Sequence, residues 1–266
     1  MRTERHERAF DEEMNEGRVA AFFDLDGTLV PEPSVEKRFW RALRSEGSIP
    51  KRNYLRWIWE TARRISHGPR AATQGNKHYL RNVAASEQDE NFGRVLPDFF
   101  EEAVEHVLWH ARKGHHIVIV SGTLAPLAVR AARRLQNELW KNGADVAVHI
   151  CATRLEEIDG KWSGKILGAP MFGQAKAMAV RRLANEWRLD LSRCSAYGDS
   201  VQDRWMLAAV GQPVAVNPSR GLRRAAKLHG WTVLRWSRVT QPQSKNEREY
   251  LERTRKVAPL ASGDPA

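Results

Sequence analysis

The chain has 266 residues, of which 42% are hydrophobic and 28% charged, and its 43 Lys and Arg against 32 Asp and Glu leave a net charge of +11. That length supports one sizeable core or a main domain with a smaller companion, and the composition excludes an intrinsically disordered chain. Two cysteines exclude a disulfide framework, and no apolar run approaches the roughly 20 residues of a membrane helix, so integral membrane association is not expected.

The positive charge favours anionic partners: phosphate esters, nucleic acid or acidic lipid headgroups. No finger, zipper or RNA-binding signature accompanies it, so nucleic acid is not the expected partner. Residues 1–18 are a polar extension, charged throughout and unlike a secretory signal, which points to a cytoplasmic chain.

Val19 to Phe23 is a short apolar run that reads as a buried strand, and it delivers Asp24 and Asp26 onto a Gly27-Thr28 turn. Ligands of parallel α/β sheets gather at the carboxyl ends of strands. The two acids are therefore expected in a cleft, as nucleophile, metal ligand or general acid. From Ser34 the period becomes helical. Val35, Phe39, Ala42 and Leu43 share a face, with Ser34 as N-cap. A second amphipathic segment carries Tyr54, Leu55, Ile58, Ala62 and Ile65 until His67-Gly68-Pro69 breaks it. Residues 34–95 are expected to form a small helical unit inserted after the first strand.

Pro97 opens the next helix, with Phe100, Val104, Val107, Leu108 and Ala111 facing inward and Gly114 at its end. Residues 115–120 form a second strand that runs into Ser121-Gly122-Thr123. The adjacent His115 and His116 alternate faces, so they are read as strand-start residues rather than a metal pair. A helix over 124–142 closes at Gly143, a third strand follows over 145–151, and Asp159-Gly160 marks a hairpin turn within 157–165. Gly173-Gln174-Ala175-Lys176 starts a helix that runs to Trp187. Residues 194–197 form a fourth strand, ending in Gly198-Asp199-Ser200 and a helix that carries Asp203. Fifth and sixth strands follow over 213–216 and 231–236, the last at an edge. Residues 237–266 are a polar tail with one short helical stretch near 247–256. Cys151 and Cys194 fall in apolar runs and read as buried thiols.

Strands alternating with helices argue an α/β fold: a Rossmann-like, three-layer parallel-sheet core over 19–33 and 96–236, with the 34–95 unit inserted. Polar groups suited to a phosphoryl group recur at four element ends of that core. They are Asp24 and Asp26, then Ser121 with the amide of Gly122, then Lys176 near a helix N-terminus, where amides and dipole favour an anion, and finally Asp199 and Asp203.

In this order, Asp24-Leu25-Asp26-Gly27-Thr28, Ser121-Gly122-Thr123, Gly173-Gln174-Ala175-Lys176 and Gly198-Asp199-Ser200-Val201-Gln202-Asp203 resemble the four motifs of the haloacid dehalogenase superfamily. The likeness spans residues 19–218, and the chain is similar to subfamily IB, the phosphoserine phosphatase-like enzymes. The resemblance implies a phosphatase acting on a small phosphorylated metabolite. In it Asp24 attacks phosphorus and becomes an aspartyl phosphate, while Asp26 serves as general acid and then base. It implies Mg²⁺ held by Asp24, the backbone carbonyl of Asp26, and Asp199, with Asp203 and Ser200 orienting them. Ser121, Gly122 and Lys176 would bind phosphate oxygens, joined by Thr28 with its hydroxyl near Asp26. The 34–95 unit resembles the subfamily's helical cap, and the segment between Thr123 and Lys176 leaves no room for a second one.

Aspartate two places after the nucleophile sets the chain apart from the ion-pumping ATPases that resemble this site. Gly27 and Thr123 depart from phosphoserine phosphatases, so the substrate stays open. Glu32 lies near the place of a substrate-binding cap glutamate, and Arg56 lies in an Arg- and Trp-rich stretch; both are candidates for specificity. Two other readings remain: a phosphotransferase or mutase using the same aspartyl phosphate, and a non-catalytic binder of a phospho-ligand or nucleic acid.

Overall fold

The computed structural model describes residues 18–63, 76–84 and 95–237. The N-terminal extension before Arg18, the His67-Gly68-Pro69 break and the tail with its short helical stretch lie outside the described residues. The element order is β1 (Ala20–Phe23), α1 (Val35–Ser45), α2 (Lys51–Arg63), a 3₁₀ turn (His78–Leu80), α3 (Glu101–Arg112), β2 (His116–Leu124) and α4 (Ala125–Lys141). It continues with β3 (Val148–Ile158), β4 (Lys161–Leu167), α5 (Gln174–Trp187), β5 (Ser195–Gly198), α6 (Arg204–Leu207), β6 (Gln212–Val216), α7 (Arg220–His229) and β7 (Thr232–Leu234).

Seven strands make one sheet in the order β4-β3-β2-β1-β5-β6-β7, parallel throughout except at the β3–β4 hairpin. β1 lies at its centre and is buried on both faces, which is why its run is apolar without alternation. Phe23 pairs in register with Ile119 of β2 on one side and Tyr197 of β5 on the other. Their carboxyl ends therefore open at one place, where the chain order reverses direction across the sheet.

Successive side chains of each strand feed opposite layers. Phe23, Ile117 and Ile119 pack beneath α3 and α4, with Val107, Leu127 and Leu135. Phe22, Val118 and Val120 pack against α5, α6 and α7, with Val180, Leu183, Met206 and Leu222. The expected α/β three-layer core is present. His115 and His116 turn to opposite sides as their alternation requires: His115 Nδ1 lies 2.8 Å from His110 Nδ1, while His116 packs on Trp187. Both cysteines are free and buried.

Three boundaries differ from the sequence reading. α3 begins at Glu101 rather than near Pro97, because Phe100 N donates to Leu29 O (3.0 Å) and holds 97–100 extended against the first-motif loop. The third strand is not a short piece ending at Cys151. β3 runs on to Ile158 and becomes one arm of the hairpin, whose Asp159 and Gly160 take φ of 49° and 70° as a two-residue I′ turn needs. The last strand shortens to three residues.

The segment between β1 and α3 holds α1, α2 and the 3₁₀ turn. Ser34 caps α1 as expected, its Oγ accepting from Lys37 N (3.3 Å), and Val35, Phe39 and Leu43 are buried. α2 differs from expectation. Its inner side is built on Asn53, whose Nδ2 donates to Tyr79 O (3.1 Å) and Arg81 O (2.7 Å), whereas Leu55 and Ile58 face solvent. The returning chain is stitched to β4: Asn82 N donates to Trp162 O (2.8 Å) and Trp162 N to Val83 O (2.9 Å). Phe39 meets the Trp162 ring edge-on. Gly164, at φ +86°, lets the hairpin approach this segment, since a Cβ there would lie 2.9 Å from His78 Cα.

Candidate active site

Asp24 follows β1 directly and is anchored across the sheet, its N–H donating to Tyr197 O of β5 (2.9 Å). Its Oδ1 accepts from Lys176 Nζ at 2.6 Å, and the same ammonium donates to Asp203 Oδ1 at 2.6 Å. Lys176 sits in the first turn of α5, and Asp203 immediately precedes α6. All three are buried. The remaining Asp203 oxygen accepts from Ser200 N (2.9 Å) and Ser200 Oγ (2.7 Å), so Asp203 is fully engaged in holding Lys176 and the fourth motif.

Asp199 completes the cluster: one carboxylate oxygen from each of Asp24, Asp199 and Asp203 lies within 4.8 Å of the others. Two glycines make this approach possible. Gly27 has φ +84°, and a Cβ there would fall 2.6 Å from Asp199 Oδ2; a Cβ on Gly198 would fall 2.5 Å from Asp203 Cβ. One ammonium serves three carboxylates, and the electrostatics show the shortfall. Burial, then Asp203 and Asp26, push Asp24 up to about 7 against the opposing pull of Lys176. Burial, then Asp24 and Asp203, push Asp199 up to about 9. Lys176 moves the other way: burial opposes its charge, but Asp203 and Asp24 outweigh that cost and raise it. Hard oxygen donors that lack a full complement of positive charge fit a hard divalent cation such as Mg²⁺.

Asp26 stands apart from that cluster. Its Oδ1 accepts from Val35 N (2.7 Å) at the start of α1, and its Oδ2 accepts from Thr123 Oγ1 at the end of β2. Burial raises it to about 6, with the Thr123 and Val35 bonds holding it below a higher value. Ser121 Oγ accepts from Thr123 N (3.1 Å) and lines the same cavity. Gly122 is required where it stands, because a Cβ would meet the Phe172 ring at 2.0 Å. Its carbonyl accepts from Thr153 Oγ1 (2.8 Å), which in turn accepts from Met171 N (3.1 Å), tying the second motif to the loop before α5.

These groups floor a cavity of about 930 Å³. Its roof is the segment inserted after β1: Trp40 of α1, Tyr54 and Trp57 of α2, then Lys77 and Tyr79. There Lys77 Nζ and Tyr79 OH (2.6 Å) both donate to Glu36 Oε1. Buried Asn76 donates to Trp57 O and Thr61 Oγ1 (both 2.8 Å) and fixes the loop that carries Lys77.

Most of the residues singled out in the sequence meet in this cavity: Asp24, Asp26, Ser121, Gly122, Lys176, Asp199, Ser200 and Asp203 line it, and Glu32 lies at its edge. Two do not. Thr28 is fully buried and donates to Asp24 Oδ2 (3.5 Å) rather than lining the cavity or reaching Asp26, because its turn carries it beneath the nucleophile. Arg56 is exposed on the outer side of α2, a third of a turn from Trp57, and takes no part in the cavity. Thr123, rather than Thr28, is the hydroxyl on Asp26. Period-2 spacing from Ser121 along β2 was the available signal. Nothing local marked Lys77 with Glu36, which lie 41 residues apart.

The model of the haloacid dehalogenase-like hydrolase family matches residues 21–208. A probable phosphatase of Mycobacterium tuberculosis is 32% identical over 234 residues, covering 83% of this chain and 76% of that protein. A phosphoserine phosphatase of the same organism is 32% identical over 228 residues, covering 81% and 70%. Among solved structures, a protein of unknown function from Bordetella pertussis Tohama I superposes with a TM-score of 0.65 at 27% identity, covering 82% of this chain and 98% of that one.

Proposed function

This chain belongs to the haloacid dehalogenase-like hydrolase family, and we propose that it is a Mg²⁺-dependent phosphatase that hydrolyses a small phosphomonoester through an aspartyl phosphate. The observation that carries this reading is the charge balance of the floor. Three converging carboxylates share one lysine beside a second, separately held aspartate. Asp24, Asp199 and the Asp26 main-chain carbonyl would hold Mg²⁺, which when bound offsets the repulsion between Asp24 and a phosphate dianion.

Asp24 forms a bond to phosphorus as the bond to the leaving oxygen breaks. Asp26, held by Val35 N and Thr123 at about 6, is set to give its proton to that oxygen. As a carboxylate it then takes a proton from water, which displaces Asp24 and releases phosphate. Lys176 keeps Asp24 oriented, and the Ser121 hydroxyl, the Gly122 amide and the Lys176 ammonium stabilise charge on the transferring group. The inserted helices act as the cap over this floor and exclude water during transfer. Relatives named phosphatase and phosphoserine phosphatase support the reaction class. The aromatic roof favours a leaving group with apolar bulk.

The test is phosphate release from p-nitrophenyl phosphate with Mg²⁺, with chelator, and in two variants. Turnover should vanish with chelator and in Asp24→Asn, and fall about 10²–10⁴-fold in Asp26→Asn. Hydrolysis that survives both the chelator and Asp24→Asn sinks the proposal.

A further inference from the structure

α2 is an amphipathic helix with its apolar side turned outward. Its inward residues are Asn53, Tyr54 and Trp57, which meet the 3₁₀ turn or the cavity. On the outer side Leu55 is 71%, Ile58 56% and Trp59 57% exposed. With Ala62 these side chains fall within roughly 100° of arc, a contiguous stripe along the helix. Cations border the Trp59 edge of that stripe. Arg52 and Arg56 are exposed on one side of it, and Arg63 lays its guanidinium 4.6 Å from the centre of the Trp59 ring. α1 and α2 carry four Lys or Arg each against one Glu each, so two short helices hold more than half of the net charge of +11.

Exposed Leu, Ile and Trp bordered by Arg match what a helix needs to lie in the headgroup layer of a bilayer: apolar area to bury and charge to attract anionic lipid. A protein partner with an acidic, apolar groove would use the same residues, but a Trp flanked by Arg along a convex helix face suits a flat, fluid surface better than a fixed groove. We propose that the outer face of α2 is a peripheral docking surface for anionic lipid bilayers, seating the roof of the cavity against the membrane. The face lies on the opposite side of α2 from Tyr54 and Trp57, so it works independently of the chemistry at the cavity floor.

The experiment is co-sedimentation of the full chain with vesicles of phosphatidylcholine alone or with about one-third phosphatidylglycerol, at low and near-physiological salt. Wild type should pellet with the anionic vesicles, less so as salt rises, and stay in solution with neutral ones. Arg52→Gln should weaken binding about fivefold. The pair Leu55→Glu and Trp59→Glu should abolish it while p-nitrophenyl phosphate hydrolysis is unchanged, which shows that the variant is folded. Wild type remaining in the supernatant with anionic vesicles at low salt overturns the proposal. So does a dimer on a sizing column that Leu55→Glu and Trp59→Glu dissociate, because the face then belongs to a second copy.

Discussion

The floor and the roof of the cavity treat charge in opposite ways. In the roof, Lys77, Glu36 and Tyr79 close on one another, so the cation and the anion are each answered within the protein. In the floor, Lys176 is divided between Asp24 and Asp203, and its pull on Asp199 is outweighed by burial and by the charges of Asp24 and Asp203. Burial is similar in both places, so the difference lies in composition and not in exposure. A region whose charges cancel is set to recognise by shape, and a region left short of positive charge is set to take up a cation. The contrast is what the proposed function requires, with chemistry at the strand ends and selection by the inserted helices.

Removing the extra negative charge from the floor is the strongest way to break that comparison. Asp199→Asn keeps the shape but relieves the repulsion that raises both Asp199 and Asp24. The variant should lose about 10²-fold or more in Mg²⁺ affinity and nearly all phosphatase activity. In chelator near pH 7 it should be more stable than wild type, since Asp199, pushed up to about 9, must take up a proton on folding and the amide need not. Wild type should gain about 2.7 kcal/mol from Mg²⁺ at a hundred times its dissociation constant, and the variant far less at that concentration. Urea unfolding with and without Mg²⁺ measures both. Equal stability of the two proteins in chelator would show that the floor is already balanced.

Lys77→Met makes the corresponding change in the roof and sharpens the contrast. It leaves Glu36 with Tyr79 alone, and the loss of a charge-assisted bond should cost about 1.5–3 kcal/mol of stability. In the proposed reaction the roof would meet the leaving group and not phosphorus, so the effect on p-nitrophenyl phosphate should fall on KM, with kcat largely kept. A large fall in kcat at unchanged KM would instead draw Lys77 into the chemistry.

The two regions also differ in how far they could be read from sequence. Asp24, Ser121, Lys176 and Asp199 were legible because each stands where a strand or helix begins or ends, and the parallel register of β1, β2 and β5 then brings them together. Gly27 and Gly198 were visible as turn residues, though their closeness to Asp199 and Asp203 was not. The roof was illegible for a topological reason: Glu36 and Lys77 come from separate parts of the insert and carry no shared period. α2 misled for a different reason. Its Leu55, Ile58 and Ala62 spacing identified a helix correctly but not which side faces the protein, because the burial of Asn53 against the 3₁₀ turn decides that. β3 was cut short because its pattern loosens after Cys151, where one face leaves the core for the hairpin.

A third arrangement lies beneath the floor and gives the finest test of how this protein handles buried titratable groups. His110 is fully buried, with Nε2 2.8 Å from Tyr197 OH and Nδ1 2.8 Å from His115 Nδ1. Tyr197 stacks on Phe23 at 4.5 Å, so this cluster supports the strand that presents Asp24. Burial, with His115 and His106 nearby, lowers His110 to about 3, so it stays neutral in the folded protein. The unfolded chain binds a proton there below about 6.5 and the folded chain does not until about 3. Stability from this residue is therefore fully present above about 6.5 and falls as the pH drops toward 3, by up to about 1.4 kcal/mol per unit. The raised carboxylates of the floor act with the opposite sign, so whole-protein curves mix the two. The difference between wild type and His110→Phe separates them. The advantage of wild type over the variant at pH 7 should shrink as urea midpoints are followed to pH 5, and a constant difference would mean that His110 takes up its proton in the folded state. A neutral imidazole under β5 and underpaired carboxylates above it would then show one sheet keeping one group uncharged by burial while crowding others for a cation.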